Sequence, residues 1–331
     1  MAEPLVEVKS LTKYFPVFER GILMRKKVGD VHAVDGIDLV VNRGETVGLV
    51  GESGCGKTTA GKVILDLIPR DSGTVSFEGK EVHDTVTKGN KTERGYVRRN
   101  MQMVFQNPYG SLDPRMTVYD IISEAFVIHK LLSKDEWDEK VYSLLKIVGL
   151  EEYHAERYPH EFSGGQRQRI SMARALATNP KFIVADEPVS SLDVSVRAQI
   201  LNLLRDLQRD EGISFLYISH DLSSVRQVTQ QVLVMYLGKI MELGPSEAVF
   251  AHPLNPYSIA LLSAVPVPDP ERKSMRIVLP GDVPSPINPP SGCRFHPRCP
   301  YATDLCAKEE PPIRELSPGH SVACHYAEKF E

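Results

Sequence analysis

Short, continuously apolar runs recur along the first 250 residues of the chain. Such runs are typical of strands that are buried on both faces of a largely parallel sheet. They are Thr46–Val50, Gln102–Phe105, Phe182–Ala185, Ser214–Ile218 and Val232–Tyr236. Between them, apolar positions repeat at helical spacing, as in the segment from Val196 to Leu207. Strands that alternate with helices in this way predict an α/β fold.

Proline usage divides the chain near residue 250. Fifteen of the 24 prolines lie in residues 251–331, and proline interrupts both helices and central strands. We therefore expect an α/β domain over residues 1–250 and a largely extended C-terminal extension over 251–331. Within the first domain, residues from about 107 to 162 predict a helical insertion. Residues 16–31 contain the run Arg25-Lys26-Lys27 and predict an exposed loop between early strands, with a site near anionic lipid or a partner as the alternative.

Composition and charge exclude several classes of protein. The 331 residues are 42% hydrophobic and 25% charged, which is an ordinary globular composition for about two domains. A net charge of −4 argues against a broadly basic surface for nucleic acid. No run approaches about 18 consecutive apolar residues, so no membrane-spanning helix is predicted. The N-terminal residues do not form a secretory signal, and we expect the chain to work in the cytosol.

The segment from Gly51 to Thr58 matches the phosphate-binding pattern G-x-x-x-x-G-K-[ST] in full. It lies between a predicted strand and a predicted helix, which is the context that this motif requires. Its glycines let backbone N–H groups point at phosphate oxygens, Lys57 reaches the β- and γ-phosphates, and Thr58 can ligate Mg²⁺. We interpret Cys55 as a packing residue rather than a nucleophile. The candidate nucleotide-binding residues here are Gly51, Ser53, Gly54, Cys55, Gly56, Lys57, Thr58 and Thr59.

An acidic pair, Asp186-Glu187, ends the apolar strand that begins at Phe182. A carboxylate at the end of a buried strand beside a phosphate loop can hold Mg²⁺, which is the role predicted for Asp186. Glu187 can then act as the general base on the attacking water. A solvated strand end is the alternative, and the complete phosphate loop makes it less favourable.

Four further motifs fall in a fixed order and carry a family resemblance. They are Gln106, Ser163-Gly164-Gly165-Gln166, Ser191-Leu192-Asp193 and His220. With the phosphate loop and the acidic pair, they resemble the Q-loop, signature, D-loop and switch histidine of ATP-binding cassette (ABC) ATPases. Near the N-terminus, Thr12-Lys13-Tyr14-Phe15 resembles the A-loop of the same family. The resemblance implies a P-loop NTPase fold, the ABC nucleotide-binding domain, with a helical subdomain at about 107–162.

The resemblance also implies roles for the residues of the chain's own nucleotide site. Gln106 would contact Mg²⁺ or the attacking water. His220 would hold the γ-phosphate and position Glu187. By the family's spacing, Phe15 would stack on adenine, with Tyr14 as the second choice and a core aromatic as the alternative.

A dimer is implied as well. In this family two cassettes pair head to tail and enclose two ATP molecules, each facing the signature of the partner. Ser163, Gly165 and Gln166 would then contact the γ-phosphate that the partner binds, and Asp193 would belong to the same interface. ATP would close the dimer and hydrolysis would reopen it.

The extension narrows the resemblance to one group of ABC ATPases. Its segments His252–Ser258, Leu279–Pro286, Gly292–Pro300 and Gly319–His325 resemble the C-terminal region of oligopeptide/dipeptide (and nickel) importer ATPases. The insertion after Phe15 most resembles the second of the two paired ATPase subunits. This implies a heterodimer with a related ATPase, two membrane permeases and an external peptide-binding protein, with the chain peripheral on the cytoplasmic face of the membrane. Import of nickel or another solute, and a soluble non-transport ABC ATPase, are the alternatives.

Four cysteines of the extension, Cys293, Cys299, Cys306 and Cys324, are spaced C-x₅-C-x₆-C-x₁₇-C. In a reducing cytosol, such a group points to metal rather than to disulfides. Four thiolates suit a [4Fe–4S] cluster or a structural zinc. The resemblance implies the [4Fe–4S] cluster, and zinc or unligated thiols remain alternatives.

Overall fold

In the computed structural model, which describes residues 3–20, 25–190, 192–264 and 277–330, strands and helices alternate along most of the chain. The strands are β1 Pro4–Arg20, β2 Arg25–Asn42, β3 Thr46–Val50, β4 Ser72–Phe77, β5 Lys80–Glu81, β6 Met101–Val104, β7 Phe182–Asp186, β8 Ser214–Ser219, β9 Gln231–Tyr236, β10 Lys239–Pro245, β11 Ile313–Ser317 and β12 His320–Ala323. The α-helices are α1 Lys57–Ile64, α2 Val82–Thr87, α3 Lys91–Asn100, α4 Pro108–Ser111, α5 Val118–His129, α6 Trp137–Ile147, α7 Gly164–Leu176, α8 Val194–Glu211, α9 Leu222–Val228, α10 Ser246–Ala251, α11 Pro256–Ser263 and α12 Asp304–Lys308. Within these described ranges, no helix is both long and apolar enough to cross a membrane.

The predicted α/β fold is confirmed. All five strands predicted from apolar runs are present as β3, β6, β7, β8 and β9, and each end lies within one residue of its prediction. Continuous burial along β3, β7 and β8 explains why apolar residues occupy consecutive positions in these strands rather than alternate ones.

The predicted loop over residues 16–31 is wrong where the structure describes it. Residues 16–20 belong to β1 and residues 25–31 belong to β2, while 21–24 lie outside the described residues. β2 is the edge of a sheet with the order β2-β1-β4. Lys26 and Lys27 are exposed there, and lysines are common on edge strands because they discourage pairing with other chains.

The chain packs into two units, and unit 1 holds the helical insertion. It comprises Phe77–Tyr217, Val41–Thr46 and the described residues up to Val6. β6 and β7 run parallel in it, with Val104 opposite Ala185. Helix α7 packs against β6 and against α4, α5, α6 and α8. The signature sequence at the start of α7 is therefore supported by the helices of the insertion.

Unit 2 comprises Glu7–Val40, Val47–Ser76 and the described residues from Ile218 onwards. Its strands have the order β11-β12-β10-β9-β3, in which β3 and β9 are parallel and the other pairs are antiparallel. The sheet is mixed because a two-residue turn joins β9 to β10. Both turn residues, Leu237 and Gly238, have positive φ angles of 42° and 81°, as such tight hairpins require.

A buried carboxylate ties the C-terminal extension to β10. The Glu242 side chain is fully buried and accepts hydrogen bonds from the backbone N–H groups of Leu254 (2.7 Å) and Asn255 (3.0 Å). It also lies 2.7 Å from Nε2 of His320 on β12. The extension thus contributes two strands to unit 2. It also contributes the hydrogen-bond partners of the buried Glu242 side chain.

Candidate functional site

The phosphate-binding loop joins β3 to α1 in unit 2. Gly51, Gly54 and Gly56 have φ angles of 153°, 80° and 111°, which side-chain-bearing residues rarely adopt. A Cβ atom on Gly56 would lie 1.9 Å from the carbonyl oxygen of Ala33, and one on Gly51 would lie 2.1 Å from that of Met235. Both positions are therefore restricted to glycine by conformation and by space.

Lys57 begins α1 and turns back into the loop. Its Nζ donates to the carbonyl oxygens of Gly51 (2.8 Å) and Glu52 (3.0 Å). Cys55 is buried, and burial raises the pKa of its thiol, which agrees with a packing role. Ser53 and Gly54 are exposed at the tip of the loop.

Thr58 and Thr59 are half-buried in the first turn of α1. Thr58 follows Lys57 in the sequence, and its hydroxyl belongs to the N-terminal end of a helix. A hydroxyl in this position suits Mg²⁺ held together with nucleotide phosphates.

The two candidate adenine-stacking residues are in different environments. The Tyr14 hydroxyl donates to Oδ1 of Asp35 at 2.5 Å, and its ring centroid lies 4.1 Å from that of His32. Burial and the Asp35 carboxylate raise the pKa of Tyr14 to about 12. The Phe15 ring is half-buried and has Lys13 Nζ 5.4 Å from its centroid. Because Tyr14 is held by polar partners, Phe15 stays the better candidate for stacking.

His220 lies directly after β8 and is exposed. The next residue, Asp221, caps α9 by accepting from the N–H of Ser223 at 3.1 Å. Its own N–H donates to the Ser219 hydroxyl at 3.0 Å. These bonds fix the backbone on one side of His220, so the imidazole projects from a defined turn in unit 2.

In unit 1 the predicted magnesium ligand, general base and Q-loop glutamine follow two neighbouring strands. Asp186 is the buried last residue of β7, and Glu187 follows it with a φ of 46°. Nε2 of Gln106 donates to Oε2 of Glu187 at 2.7 Å. Gln106 comes after β6, the parallel neighbour of β7, so the sheet brings these side chains to one edge.

The signature sequence forms the N-terminus of α7. The Ser163 hydroxyl accepts from the N–H of Gln166 (3.3 Å), and Oε1 of Gln166 accepts from the N–H of Ser163 (3.1 Å). This reciprocal pair is a capping box, which orders the first turn of the helix. A Cβ atom on Gly165 would lie 2.5 Å from Cγ1 of Val196 on α8. Close packing of α7 on α8 therefore requires this glycine.

Asp193 caps α8 by accepting from the N–H of Val196 at 3.0 Å. It also accepts from the hydroxyl of Ser195 at 2.8 Å. Leu192 is buried beside it, and Ser191, the first residue of the predicted D-loop, lies outside the described residues. The D-loop carboxylate thus starts the helix that packs against the signature helix.

The four cysteines of the extension line one small cavity. The backbone N–H of Tyr326 donates to Sγ of Cys324 at 3.4 Å, and the Thr303 hydroxyl lies 3.6 Å from Sγ of Cys306. Burial raises the pKa of Cys293 to about 11. The N–H donor to Cys324 suits a thiolate bound to metal.

In the part of the chain that the structure describes, no group of three or more His, Cys, Asp or Glu side chains has the arrangement of a metal site. The four thiols are therefore chemically suited to bind a metal group. The side chains of the described residues, however, are not arranged as a set of metal ligands.

Sequence reasoning missed two residues of the extension that contact the phosphate loop. The Tyr257 hydroxyl accepts from the N–H of Glu52 at 2.9 Å. The guanidinium of Arg298 binds the carboxylate of Glu52, with Nη1 and Oε2 2.7 Å apart. Both residues lie in segments whose family resemblance was visible, but no local pattern indicates what they touch.

Comparisons with known families match the two parts of the chain separately. Residues 34–190 match the ABC transporter family, a range that includes the phosphate loop and ends after Glu187. Residues 241–306 match the oligopeptide/dipeptide transporter C-terminal region, which includes Arg298 and the first three cysteines of the cavity.

Known proteins resemble the chain along nearly its whole length. The oligopeptide transport ATP-binding protein AppF of Bacillus subtilis is 50% identical over 325 residues, which cover 98% of this chain and 97% of AppF. The di/tripeptide transport ATP-binding protein DppF of Pseudomonas aeruginosa is 46% identical, with 99% of each chain covered. A solved dimeric ATP-binding cassette, MJ0796 in a post-hydrolysis state with ADP and Pi, has a TM-score of 0.63 and 27% identity, and the match covers 73% of this chain and 98% of that one.

Proposed function

Since the chain belongs to the ABC transporter family, in the group with the oligopeptide/dipeptide transporter C-terminal region, we propose that it is the ATP-hydrolysing subunit of a peptide importer. The observation that carries the hydrolytic step is the 2.7 Å contact between Gln106 and Glu187. It presents a carboxylate, oriented by an amide, directly after the buried Asp186. A carboxylate held at a defined position supports the role of general base, which also requires that Glu187 reach the proton of the attacking water.

The nucleotide is held mainly by the phosphate loop in this proposal. Its glycine-rich backbone and the Lys57 ammonium bind the phosphates, and the ring of Phe15 stacks on adenine. Thr58, Asp186 and Gln106 would hold Mg²⁺, which would neutralise charge on the phosphates. Glu187 then takes a proton from water.

His220 and the residues of the partner cassette complete the site. His220 contacts the γ-phosphate from its turn after β8. Ser163, Gly165, Gln166 and Asp193 serve the nucleotide that the partner binds, because an ordered helix N-terminus suits a phosphate. The capping box at Ser163 supports this role, since it holds the first turn of α7 in place.

The partners we propose are a paralogous ATPase subunit, two permeases and an extracytoplasmic peptide-binding protein, with the chain peripheral on the cytoplasmic face of the membrane. Exposed apolar side chains in unit 1 support a permease contact. Tyr109 of α4 is 67% exposed, and Val127 and Ile128 of α5 are 58% and 65% exposed. Both helices pack on α7, so a permease bound there would contact the supports of the signature.

We also propose the functional division at residue 250. In it the ABC cassette spans 1–250, with its helical subdomain at about 107–162, and the extension spans 251–331. The helices α4, α5 and α6 between Asn107 and Phe162 support the subdomain. Strand β12 of the extension pairs with β10, and β11 pairs with β12. These pairings make the extension part of the same sheet as β10.

A [4Fe–4S] cluster at the four cysteines is the metal group that we propose, with zinc as the alternative. The shared cavity of the four cysteines and the N–H donor to Cys324 support thiolate ligation. Anaerobic purification followed by iron, sulfide and zinc quantitation tests this. About four iron and four sulfide per chain would support the cluster, stoichiometric zinc without sulfide would replace it, and absence of all three would end both proposals.

Uptake assays in the source organism test the proposed function. Cells carrying the native chain or Glu187→Gln would be compared for uptake of a labelled dipeptide, a labelled longer peptide and nickel. Loss of peptide uptake in the variant is expected, because hydrolysis drives transport. Loss of nickel uptake alone would move the substrate to a metal. Unchanged uptake of all three, with the variant inactive as an ATPase, would contradict the importer proposal for these substrates.

A further inference from the structure

A carboxylate lies in the phosphate loop, where it would oppose the binding of a polyphosphate. Glu52 is the second residue of the loop, and its side chain is 28% exposed. A negative charge at this position repels the phosphates unless a cation compensates it. Lys57 donates to the carbonyl oxygen of Glu52, not to its carboxylate.

The compensating cation comes from the extension. Nη1 of Arg298 lies 2.7 Å from Oε2 of Glu52, and Nη2 lies 3.3 Å from Oε1. This two-point contact is the geometry in which arginine binds carboxylates most strongly. The Arg298 side chain is only 9% exposed, so water screens the pair less than it screens a surface ion pair.

The surroundings of Arg298 hold it in this position. The Tyr236 hydroxyl lies 3.5 Å from its Nη1, and the Tyr236 ring centroid lies 6.0 Å from its Cζ. Tyr236, Tyr257 and Phe295 form an aromatic cluster with centroid separations of 4.7–5.4 Å. Because the Tyr257 hydroxyl accepts from the N–H of Glu52, the cluster holds both the backbone of Glu52 and the arginine that pairs with its carboxylate.

Arg294, four residues earlier in the chain, makes a second connection. Its Nη1 donates to the carbonyl oxygen of Leu237 at 2.5 Å, and its Nη2 pairs with Asp35. The next residue after Leu237, Gly238, donates its N–H to the carbonyl oxygen of Cys55 at 2.9 Å. The extension therefore supports the phosphate loop at Glu52 directly and at Cys55 through the β9–β10 turn.

We propose that Arg298 is a positioning residue for ATP: by pairing with Glu52, it removes a repulsive charge from the phosphate loop and fixes the loop's second residue. The inference rests on the proposed function, since it concerns the same ATP site. It assigns to the C-terminal extension a direct part in the affinity for nucleotide. Arg298 acts through Glu52, and no contact between Arg298 and the nucleotide is needed.

Four variants of the full-length chain test the proposal through ATP affinity, KM and kcat. Arg298→Ala leaves the Glu52 charge uncompensated and is expected to raise the Kd and KM for ATP about tenfold, with kcat within about twofold. Glu52→Gln alone is expected to lower the Kd for ATP, which is the opposite of the effect of Arg298→Ala, because Arg298 then adds net positive charge. The double variant Arg298→Ala/Glu52→Gln is expected to recover most of the affinity. Arg314→Ala is the matched control, since Arg314 is a half-buried arginine of the extension that pairs with Glu328 at 2.7 Å.

The outcomes separate an electrostatic role from a structural one. An unchanged Kd in Arg298→Ala, or a double variant no better than the single one, overturns the proposal. If Arg298→Ala does not fold, the proposal is tested with Arg298→Lys and Glu52→Gln. An unchanged Kd in Glu52→Gln then overturns the proposal. A wild-type chain that does not hydrolyse ATP contradicts the proposed function, whereas hydrolysis with unshifted variants contradicts only this inference.

Discussion

Gln106 and Glu187 are 81 residues apart in the chain, yet their side chains are joined by a hydrogen bond of 2.7 Å. Each residue follows one of the two parallel strands β6 and β7, so the register of the sheet sets their distance. Glu187 has a φ of 46°, a conformation that costs energy for a residue with a side chain. The strand ends hold the carboxylate in this position, and a donated amide hydrogen orients it.

Replacement of Glu187 by glutamine is expected to abolish catalysis and to preserve binding. The amide has nearly the same shape as the carboxylate but cannot accept a proton from water. ATP hydrolysis by Glu187→Gln is therefore expected to fall by about 10²–10⁴-fold, with ATP affinity within a few fold of wild type. Glu139→Gln, which changes an exposed carboxylate of α6, serves as the control. A turnover equal to wild type would remove Glu187 from the role of base.

Replacement of Gln106 by glutamate is expected to shift the pH dependence of hydrolysis. A second carboxylate beside Glu187 raises one pKa of the pair, because two like charges at this distance cannot both ionise easily. Since the base must be ionised, the acidic limb of the kcat profile moves to higher pH, and activity lost near pH 7 returns in part at higher pH.

The comparison for this variant is Gln102→Glu. Gln102 lies on β6, the strand that Gln106 follows, and its Nε2 donates to the carbonyl oxygen of Arg98 at 2.7 Å. Its profile is expected to keep the wild-type shape. An acidic limb that stays in place in Gln106→Glu would mean that the two side chains do not interact in the working enzyme.

Replacement of Gly165 by alanine is expected to destabilise unit 1. The new methyl group would meet Cγ1 of Val196 at 2.5 Å, and such overpacking costs about 1–3 kcal/mol. Urea unfolding of the nucleotide-free chain measures the cost. Gly164→Ala is the control, because among the described residues its added Cβ would lie in open space. Val196→Ala in the Gly165→Ala background should restore much of the loss, and equal effects of the two glycine variants would contradict the packing argument.

Replacement of Glu242 by alanine is expected to loosen the extension from β10. It leaves His320 and the N–H groups of Leu254 and Asn255 without their buried acceptor. A buried polar group left without its hydrogen-bond partner costs about 1–3 kcal/mol, and two backbone N–H groups and one imidazole lose theirs here. Thermal unfolding and proteolysis of the extension report the effect. Glu247→Ala, at an exposed position on α10, should stay within about 0.5 kcal/mol of wild type, and a similarly small change in Glu242→Ala would show that the pair contributes little.

Features with a local cause could be predicted from the sequence. The strand β3 is apolar at each buried position except Thr46 and Gly48, and the glycines at 51 and 56 are required by the backbone of the loop that follows. The phosphate loop was therefore found from its pattern alone. The roles of Gln106 and His220 were available only through the family resemblance, because a lone glutamine or histidine after a strand has no distinctive local pattern.

Features that depend on distant contacts were missed. The extension was expected to be mainly extended chain, because proline frequency says nothing about pairing partners. In the structure Glu242 lies opposite Val322, so β12 pairs with a strand 80 residues earlier. A glutamate in an apolar strand also predicts exposure, yet Glu242 is buried because its partners come from α11 and β12 regions. The charge of Glu52 was likewise compensated from a residue 246 positions away.

The pairing of β10 with β12 has a consequence for biosynthesis. A ribosome completes β9 and β10 long before it reaches His320. The outer edge of β10 is therefore not paired with β12 while the extension is translated. An unpaired strand edge is a template for association with other chains. A premature stop codon within the extension would therefore yield not a trimmed ATPase but a nascent chain with an open sheet edge, prone to aggregation and degradation.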